Sequence, residues 1–173
     1  VILPLFDGTT DERIARLREL RETVKSIRFN LDNLFEQNNA LEAGRDVLTR
    51  LLNRKFLPVV LTRQVSHARS HGTPFSVLAL DIDYFKQIND NFGHPVGDDV
   101  LRFFATLLSG NLKGRDLAAR YGGEEFALIL PATTAAAAKR LIEQIMEQLR
   151  ATNLVMSQGK LPIGKLTASF GIV

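Results

Sequence analysis

An apolar repeat with an average spacing of about three and a half residues runs from Leu17 to Leu41 and ends just before Gly44. A sustained repeat of this spacing makes an apolar seam along a helix, and a second helix must cover that seam. The a positions of the seam are Leu17, Val24, Leu31 and Asn38, and the d positions are Leu20, Ile27, Leu34 and Leu41.

The seam predicts one long helix over residues 11–43, with Thr9 and Glu12 placed as a capping box at its start. We expect two copies to pair as a dimeric coiled coil, because Asn38 at an a position favours dimers of fixed register. Phe35 at an e position favours the alternative, in which the helix packs on its own domain or on an upstream one.

After Gly44 the pattern changes to mixed helix and strand signals. The predicted elements are a helix over 54–70, a buried strand over 74–83, two short helices separated at 93–95, two strands within 115–131, a helix over 133–151 and a strand over 167–173. This order predicts an α+β fold with a central, mostly antiparallel sheet flanked by helices. We predict two domains, an N-terminal linker and coiled-coil helix over 1–44 and an α+β domain over 45–173.

The composition excludes several functional classes. The 173 residues carry 22 Lys and Arg against 19 Asp and Glu, without a run of five like charges, which argues against a nucleic-acid partner. The lack of Cys excludes disulfides and thiolate chemistry. No apolar stretch is long enough to span a bilayer and no signal-peptide pattern opens the chain, so we expect a cytoplasmic protein. Because the first residue is Val1 and not Met, we expect a piece of a longer protein.

Two carboxylates stand at the end of the predicted central strand, in the sequence Asp81-Ile82-Asp83. Strand alternation sends Asp81 and Asp83 to one face, where their charges repel unless a cation lies between them. Mg²⁺ suits such a site, because it commonly takes one or two carboxylates and leaves room for phosphate and water. The alternative is that one acid caps the following helix, and we expect Asp83 to do so.

The second chemical motif is the predicted hairpin turn Gly122-Gly123, followed directly by Glu124 and Glu125. Paired glycines are common in hairpin turns for conformational reasons, but they also let a ligand approach the backbone. Adjacent strand residues face opposite sides, so one Glu can face a ligand while the other has a different role.

Taken together, these motifs resemble those of a known family. LDIDYFKQINDNFGHPVGDD at 80–99 and RYGGEEF at 120–126 are similar to the GGDEF family of diguanylate cyclases, and the resemblance covers 46–173, beginning with DVLTRLLNR. It implies a palm-like nucleotidyl-cyclase fold that condenses two GTP into cyclic di-GMP and two pyrophosphates. It also implies a Mg²⁺-dependent attack of a 3′-hydroxyl on an α-phosphate in a two-fold dimer.

The resemblance assigns catalytic and metal roles to four residues. Asp81, the carbonyl of Ile82 and Glu124 match the metal ligands, and the family gives the Glu124 position the task of deprotonating the 3′-hydroxyl. Lys86 matches the residue that neutralises phosphate charge. The implied cofactor is Mg²⁺, two ions per active site, with Mn²⁺ as a substitute.

Five further positions match substrate contacts. The amides of Tyr84 and Phe85 correspond to groups that lie against the β- and γ-phosphates at a helix start, and Gly123 lets the ligand approach the turn. Asn89 and Asp98 match the residues that read the guanine edge. A carboxylate at Asp98 accepts hydrogen bonds from guanine N1–H and N2–H₂, a donor pair that adenine lacks, so it favours GTP over ATP.

Two features depart from the family pattern. The inhibitory product site of the family is Arg-x-x-Asp; Asp116 matches its acid, but Lys113 stands where Arg is expected. Because Lys cannot form the bidentate fork of Arg, we predict weakened product inhibition, with Arg115 as a candidate substitute. Family domains also continue past Val173 through a further helix and strand, so we expect an incomplete domain with weak or no turnover of its own.

The partners implied are GTP, a second copy bound through the N-terminal helix, and an upstream sensory domain. DVLTRLLNRKFLP at 46–58 is also similar to the corresponding stretch of haem-globin-coupled diguanylate cyclases, which suggests a globin as that sensor. Two alternatives stay open, a catalytically inactive module that binds GTP or cyclic di-GMP, and a purely structural dimerisation unit.

Overall fold

The computed structural model describes residues 9–155 and 162–173. The chain divides into two compact units, Val1–Ala43 and Gly44–Val173. None of the described helices is both long enough and apolar enough to cross a membrane.

The described part of the first unit is a helix, α1, over Thr10–Ala43. Its start is the predicted capping box: the Glu12 carboxylate accepts from the Thr9 N–H at 2.8 Å, and the Thr9 hydroxyl oxygen accepts from the Glu12 N–H at 3.4 Å. The long helix predicted over 11–43 is therefore confirmed.

Three of the eight residues that would form the apolar seam of α1 can be described. Leu20, Val24 and Ile27 are 49%, 56% and 53% exposed, as expected for seam residues of an unpaired helix. The side chains of Leu17, Leu31, Leu34, Phe35, Asn38 and Leu41 lie outside the described residues. Pairing of two copies therefore stays a prediction, and so does packing against another domain.

The second unit is built on a four-stranded sheet with an all-antiparallel register. Its helices are α2 (Leu57–His71), α3 (Phe85–Phe92), α4 (His94–Asn111) and α5 (Ala135–Ala151). Its strands are β1 (Phe75–Ile82), β2 (Leu117–Arg120), β3 (Glu125–Pro131), β4 (Asn153–Val155), β5 (Pro162–Lys165) and β6 (Ala168–Ile172). The order in the main sheet is β2-β3-β1-β6, so the predicted α+β fold with a central antiparallel sheet is confirmed.

One face of the sheet packs against α4 and α5 and forms the main core. Phe104 of α4 meets Phe126 of β3 edge to face, with ring centroids 4.9 Å apart. Other side chains of this core that are almost completely buried are Leu78, Leu108, Leu128, Leu130, Ile142, Ile145 and Leu149. Burial of such side chains contributes roughly 1.5–3 kcal/mol each, which makes this layer the main source of stability.

The opposite face is covered only in part. Leu57 of α2 packs on Ala119, Ala127 and Ile129 in a smaller cluster. Beyond that cluster Ala79 and Asp81 of β1 are exposed. The prediction that β1 is a buried strand is therefore wrong for one face of its second half, because the cluster around Leu57 covers β2 and β3 and not this part of β1.

A second sheet, the hairpin of β4 and β5, was not predicted from the sequence. Its strands have three and four residues, and the second contains Pro162 and Gly164, which are both unusual in strands. Elements this short show no period-two pattern, so periodicity alone does not reveal them.

Candidate functional site

The end of β1 that carries Asp81 lies directly beside the Gly122-Gly123 turn. Asp81 is exposed and pairs in register with Glu125 of β3 on one side and with Ser169 of β6 on the other. The next residue, Ile82, is buried, and its N–H donates to the carbonyl of Glu124 at 3.3 Å. The two acidic motifs are 43 residues apart in the chain, and they meet at the same end of the neighbouring strands β1 and β3.

The charges of these acids influence each other. Partial burial raises the pKa of Glu124 above its ordinary value, and the negative charges of Asp81 and Glu125 raise it further. The side chains of Asp81 and Glu124 are thus close enough to repel each other. A cation between them would relieve that repulsion.

Asp83 has a different role from the one expected. The N-cap of α3 is Tyr84, in a left-handed conformation with φ 58° and without a side-chain cap, so the prediction that Asp83 caps this helix is wrong. The Asp83 N–H donates to the carbonyl of Thr167 at 3.0 Å, and its carboxylate accepts from the Ser169 hydroxyl at 2.7 Å. Both bonds hold Asp83 on the side of β6, away from the first turn of α3.

The start of α3 presents unused donors. Because no side chain caps the helix, the N–H groups of Tyr84 and Phe85 have no hydrogen-bond partner among the described residues. Free N–H groups at a helix start attract anions. They follow Asp81 by three and four residues, so an anion there would lie near the acidic pair.

Three polar side chains on α3 and α4 also have free hydrogen-bonding groups. Lys86 is exposed, and Asn89 and Asp98 are half-buried. Within residues 9–155 and 162–173 none of the three makes a side-chain hydrogen bond or ion pair. All three are therefore available to a ligand.

The glycine turn is held by an arginine that the sequence analysis did not single out. Arg120, at the end of β2, donates to the carbonyl of Gly122 at 3.1 Å and to that of Gly123 at 2.8 Å. Its guanidinium also pairs with Asp46 at 3.2 Å, and the two side chains are only 15% and 20% exposed. Both residues stood in quoted motifs, but their pairing across 74 residues of chain left no local signal.

The ion pair stays charged over a wide pH range. Burial raises the pKa of Asp46, but hydrogen bonds from the hydroxyl and N–H of Thr49, together with Arg120, outweigh this and place the pKa below the usual range of an aspartate. The segment that follows Asp46 is also joined to β2 through its backbone. The Leu52 N–H donates to the Ala118 carbonyl at 3.1 Å, and the Leu52 carbonyl accepts from the Arg120 N–H at 2.8 Å.

These bonds orient the peptides of the turn. The peptide bonds of the turn are trans, as are all those of the described residues, and a trans peptide points its N–H opposite to its C=O. Because the carbonyls of Gly122 and Gly123 face Arg120, the N–H groups of Gly123 and Glu124 point away from it. Neither N–H has a partner in the part of the chain that the structure describes.

Lys113 and Asp116 lie close to each other, in a part of the chain separate from the acidic pair. The Asp116 carboxylate accepts from the Lys113 N–H at 3.1 Å, closing a tight turn. Both residues line a pocket of about 270 Å³, which Arg45 also lines. Arg115, the substitute suggested by the sequence, is not among the lining residues.

The comparisons with known proteins decide the family. A family model described as "Diguanylate cyclase, GGDEF domain" matches residues 43–173. The chain belongs to the GGDEF family. This confirms the resemblance found in the sequence.

Relatives and solved structures agree with this assignment. The chain is 40% identical over 148 residues to the diguanylate cyclase DosC of Escherichia coli K12, covering 86% of this chain and 32% of DosC. It is 41% identical over 169 residues to the response regulator PleD of Caulobacter vibrioides NA1000, covering 98% of this chain and 36% of PleD. The chain thus spans about a third of the length of these relatives.

A solved coiled coil and GGDEF domain, that of DgcB from Caulobacter crescentus in complex with c-di-GMP, matches with a TM-score of 0.76 at 33% identity. The match covers 91% of this chain and 80% of the DgcB chain. The GGDEF domain described above therefore shares its fold with a solved relative.

Proposed function

We propose that the protein containing this GGDEF domain is a diguanylate cyclase that joins two GTP molecules into cyclic di-GMP and releases two pyrophosphates. The observation that carries the proposal is the meeting of Asp81 and Glu124 beside the uncapped start of α3. Acids that repel each other next to free N–H donors suit a site that takes a cation together with a phosphate chain.

The oxygen ligands at this end of β1 and β3 fit Mg²⁺. Asp81 and Glu124 offer carboxylate oxygens and Ile82 a backbone carbonyl, whereas the described residues contain no group of three or more His, Cys, Asp or Glu side chains that could hold a metal by itself. Mg²⁺ suits a site with few protein ligands, since phosphate oxygens and water complete its octahedron. When bound, two such ions would polarise the phosphate and lower the pKa of the attacking hydroxyl, and Mn²⁺ would serve as a substitute.

The remaining phosphate contacts come from the start of α3 and from the turn. The free N–H groups of Tyr84 and Phe85 would bind the β- and γ-phosphates. The Lys86 ammonium would neutralise charge that builds up on the phosphoryl oxygens. Gly123 leaves open space where a side chain would otherwise stand, so a phosphate can approach the turn.

The base is recognised by Asn89 and Asp98. An ionised Asp98 accepts from guanine N1–H and N2–H₂, while the Asn89 amide completes recognition of the same edge. Adenine presents no such donor pair, and an ATP base would leave Asp98 unpaired, so GTP is the substrate.

The chemistry is a displacement at phosphorus. The 3′-oxygen of one GTP attacks the α-phosphorus of the other, its proton passes to Glu124, and the bond to the β-phosphate oxygen breaks with release of pyrophosphate. A second displacement of the same kind closes the ring. In the metal-free protein, partial burial and the charges of Asp81 and Glu125 raise the pKa of Glu124, so this carboxylate takes up a cation or a proton more readily than an ordinary Glu.

Each domain binds one GTP, so two domains must face each other across a two-fold axis. We propose that residues 1–44 act as a linker whose seam pairs two chains, and that residues 45–173 form the cyclase domain. Joining the chains through α1 raises the effective concentration of one domain near the other. An upstream sensor, for which a haem globin is one candidate, would regulate the enzyme by changing how the two helices pair.

Inhibition by product would use the pocket of Lys113 and Asp116. Because Lys lacks the bidentate fork of Arg, cyclic di-GMP would bind weakly, with Arg45 as the arginine that lines this pocket. Titration with cyclic di-GMP should show an affinity at least about tenfold higher for Lys113→Arg than for wild type. Equal affinities would contradict this assignment.

The function is tested by incubating the full-length gene product that contains this chain with GTP and Mg²⁺ and identifying the product by mass. Cyclic di-GMP from the wild type, and none when the metal is chelated or in Asp81→Asn, is the expected result. GTP binding without product would instead identify an inactive binding module. An enzyme that turns over equally well with Asp81→Asn would exclude the proposed metal site.

A further inference from the structure

We infer that Gly97 determines guanine recognition by leaving the space in which the Asn89 amide lies. The inference rests on the proposed function, because it concerns the residues proposed to read the base. Gly97 does not touch the substrate in this scheme. It is a positioning residue that acts through Asn89.

The evidence is a close approach between α3 and α4. A Cβ built on Gly97 would collide with the amide oxygen of Asn89, lie 3.0 Å from its amide carbon and lie 3.2 Å from the ring edge of Phe85. Contacts of 3.0 Å and less force something to move. The Asn89 amide is the movable partner, since the Phe85 ring is only 6% exposed and is fixed in the core.

The backbone gives no other reason for glycine at this position. Gly97 lies inside α4 and does not have a positive φ, so an alanine could adopt its conformation. Ala in a helix interior is more favourable than Gly. A glycine here lowers helix stability, and the close approach of Asn89 is what it permits.

The close approach also involves the residue that carries the second base-reading group. Gly97 directly precedes Asp98 in α4, so the Asn89 amide packs on the backbone of the residue next to Asp98. The backbone of Asn89 is also held in place, because its backbone carbonyl accepts from the Gly93 N–H at 2.8 Å at the end of α3. With a methyl group at position 97, the Asn89 amide must leave this position, and we expect it to lose its contact with the guanine edge.

Gly110 provides a matched control on the same helix. It too is a helical glycine, but a Cβ built there meets nothing within 4 Å. Gly110→Ala therefore makes the same chemical change in α4 without affecting Asn89.

The experiment measures binding of 3′-deoxy-GTP with Mg²⁺ to the full-length gene product that contains this chain, since this analogue lacks the attacking hydroxyl. We expect Gly97→Ala to weaken binding about 2- to 10-fold, the effect of one lost hydrogen bond. Asn89→Ala should weaken binding by a similar factor, and Gly110→Ala should leave it unchanged. The preference for 3′-deoxy-GTP over 3′-deoxy-ATP should fall with Gly97→Ala.

The double variant Asn89→Ala/Gly97→Ala separates positioning from general packing. If Gly97 acts through Asn89, the double variant binds as Asn89→Ala does, because the smaller side chain makes room for the new methyl. An additional loss in the double variant would assign the effect to Phe85 and overturn the inference, as would normal binding by Gly97→Ala. If Asn89→Ala itself binds normally, the proposed role of Asn89 fails first, and the inference fails with it.

Discussion

The two halves of the candidate site differ in how they are held. The side chain of Arg120 makes five hydrogen bonds, three to carbonyls of the glycine turn and two to Asp46. On α3 and α4, by contrast, the side chains of Lys86, Asn89 and Asp98 have no bonded partner among the described residues. The half that carries the proposed base is preorganised, and the half that reads the nucleotide keeps its hydrogen-bonding capacity for the ligand.

This difference has a physical reason. A proton acceptor must be held within a few tenths of an ångström of its productive position, which requires rigid support. A recognition group that is already bonded within the protein would have to break that bond before it could bind substrate. The contrast leads to four predictions, which run from the largest expected effect to the smallest.

The largest effect is expected at the proposed base. Glu124→Gln removes the proton acceptor but keeps its shape, so turnover should fall at least about 100-fold. Glu147→Gln on α5 is the control, since Glu147 is exposed and lies outside the site. Initial rates of cyclic di-GMP formation measure both variants. A Glu124→Gln enzyme within a few fold of wild type would assign the proton to another group.

Substitution in the nucleotide-reading half should change affinity without changing stability. Asp98→Asn places an amide donor against guanine N–H groups, so GTP affinity should fall about 10- to 100-fold. The free energy of unfolding should not change, because Asp98 has no partner to lose among the described residues. Asp99→Asn, which alters only an exposed pair with Arg102, is the control. Loss of stability in Asp98→Asn would break the contrast between the two halves.

The braced half should respond in the opposite way. Arg120→Ala leaves two carbonyls and the half-buried Asp46 without their partner, so the free energy of unfolding should fall by about 1–3 kcal/mol. Turnover should fall more than GTP affinity, because the turn carries Glu124. Arg102→Ala breaks an ion pair whose side chains are 53% and 56% exposed and should cost less than about 1 kcal/mol. Denaturant titration measures the loss in free energy of unfolding for both variants. Equal losses would mean that Arg120 stabilises the protein no more than an exposed ion pair does.

The smallest effect is a pH dependence of opposite sign at the two acids beside the turn. The pKa of Glu124 is raised in the fold by partial burial and by Asp81 and Glu125, so its contribution to stability is present at acid pH and is lost as pH rises through the raised pKa. The pKa of Asp46 is lowered, because hydrogen bonds from Thr49 and Arg120 outweigh burial, so its contribution is present at neutral pH and is lost as pH falls through the lowered pKa.

Stability measured from pH 3 to 8 tests both signs. As pH rises, the free energy of unfolding of Glu124→Gln should increase relative to that of the wild type, by less than about 1 kcal/mol. Over the same range the free energy of unfolding of Asp46→Asn should decrease relative to that of the wild type. Parallel curves for the three proteins would show that neither acid is perturbed in the fold.

Much of this arrangement could be predicted from local sequence. The capping box of Thr9 and Glu12 acts over three residues, and the hairpin around Gly122 is closed by its own turn, so short patterns were enough. The strand that ends in Asp81 was recognised from its apolar run and its acids. Apart from the short β4–β5 hairpin, the predictions that were wrong or missing concern contacts between distant segments, as with Asp83, which bonds to Ser169 86 residues later.

The sequence by itself determined the family, the positions of the acids and the order of the helices and of the strands in the main sheet, because each depends on residues close together in the chain. Only the tertiary structure decided that Arg120 braces the glycine turn through Asp46, that half of one sheet face stays open beside Asp81, and that Gly97 makes room for Asn89. These outcomes depend on which segments pack together. A local pattern carries little information about that choice, because the packing energy is set jointly by residues from separate parts of the chain.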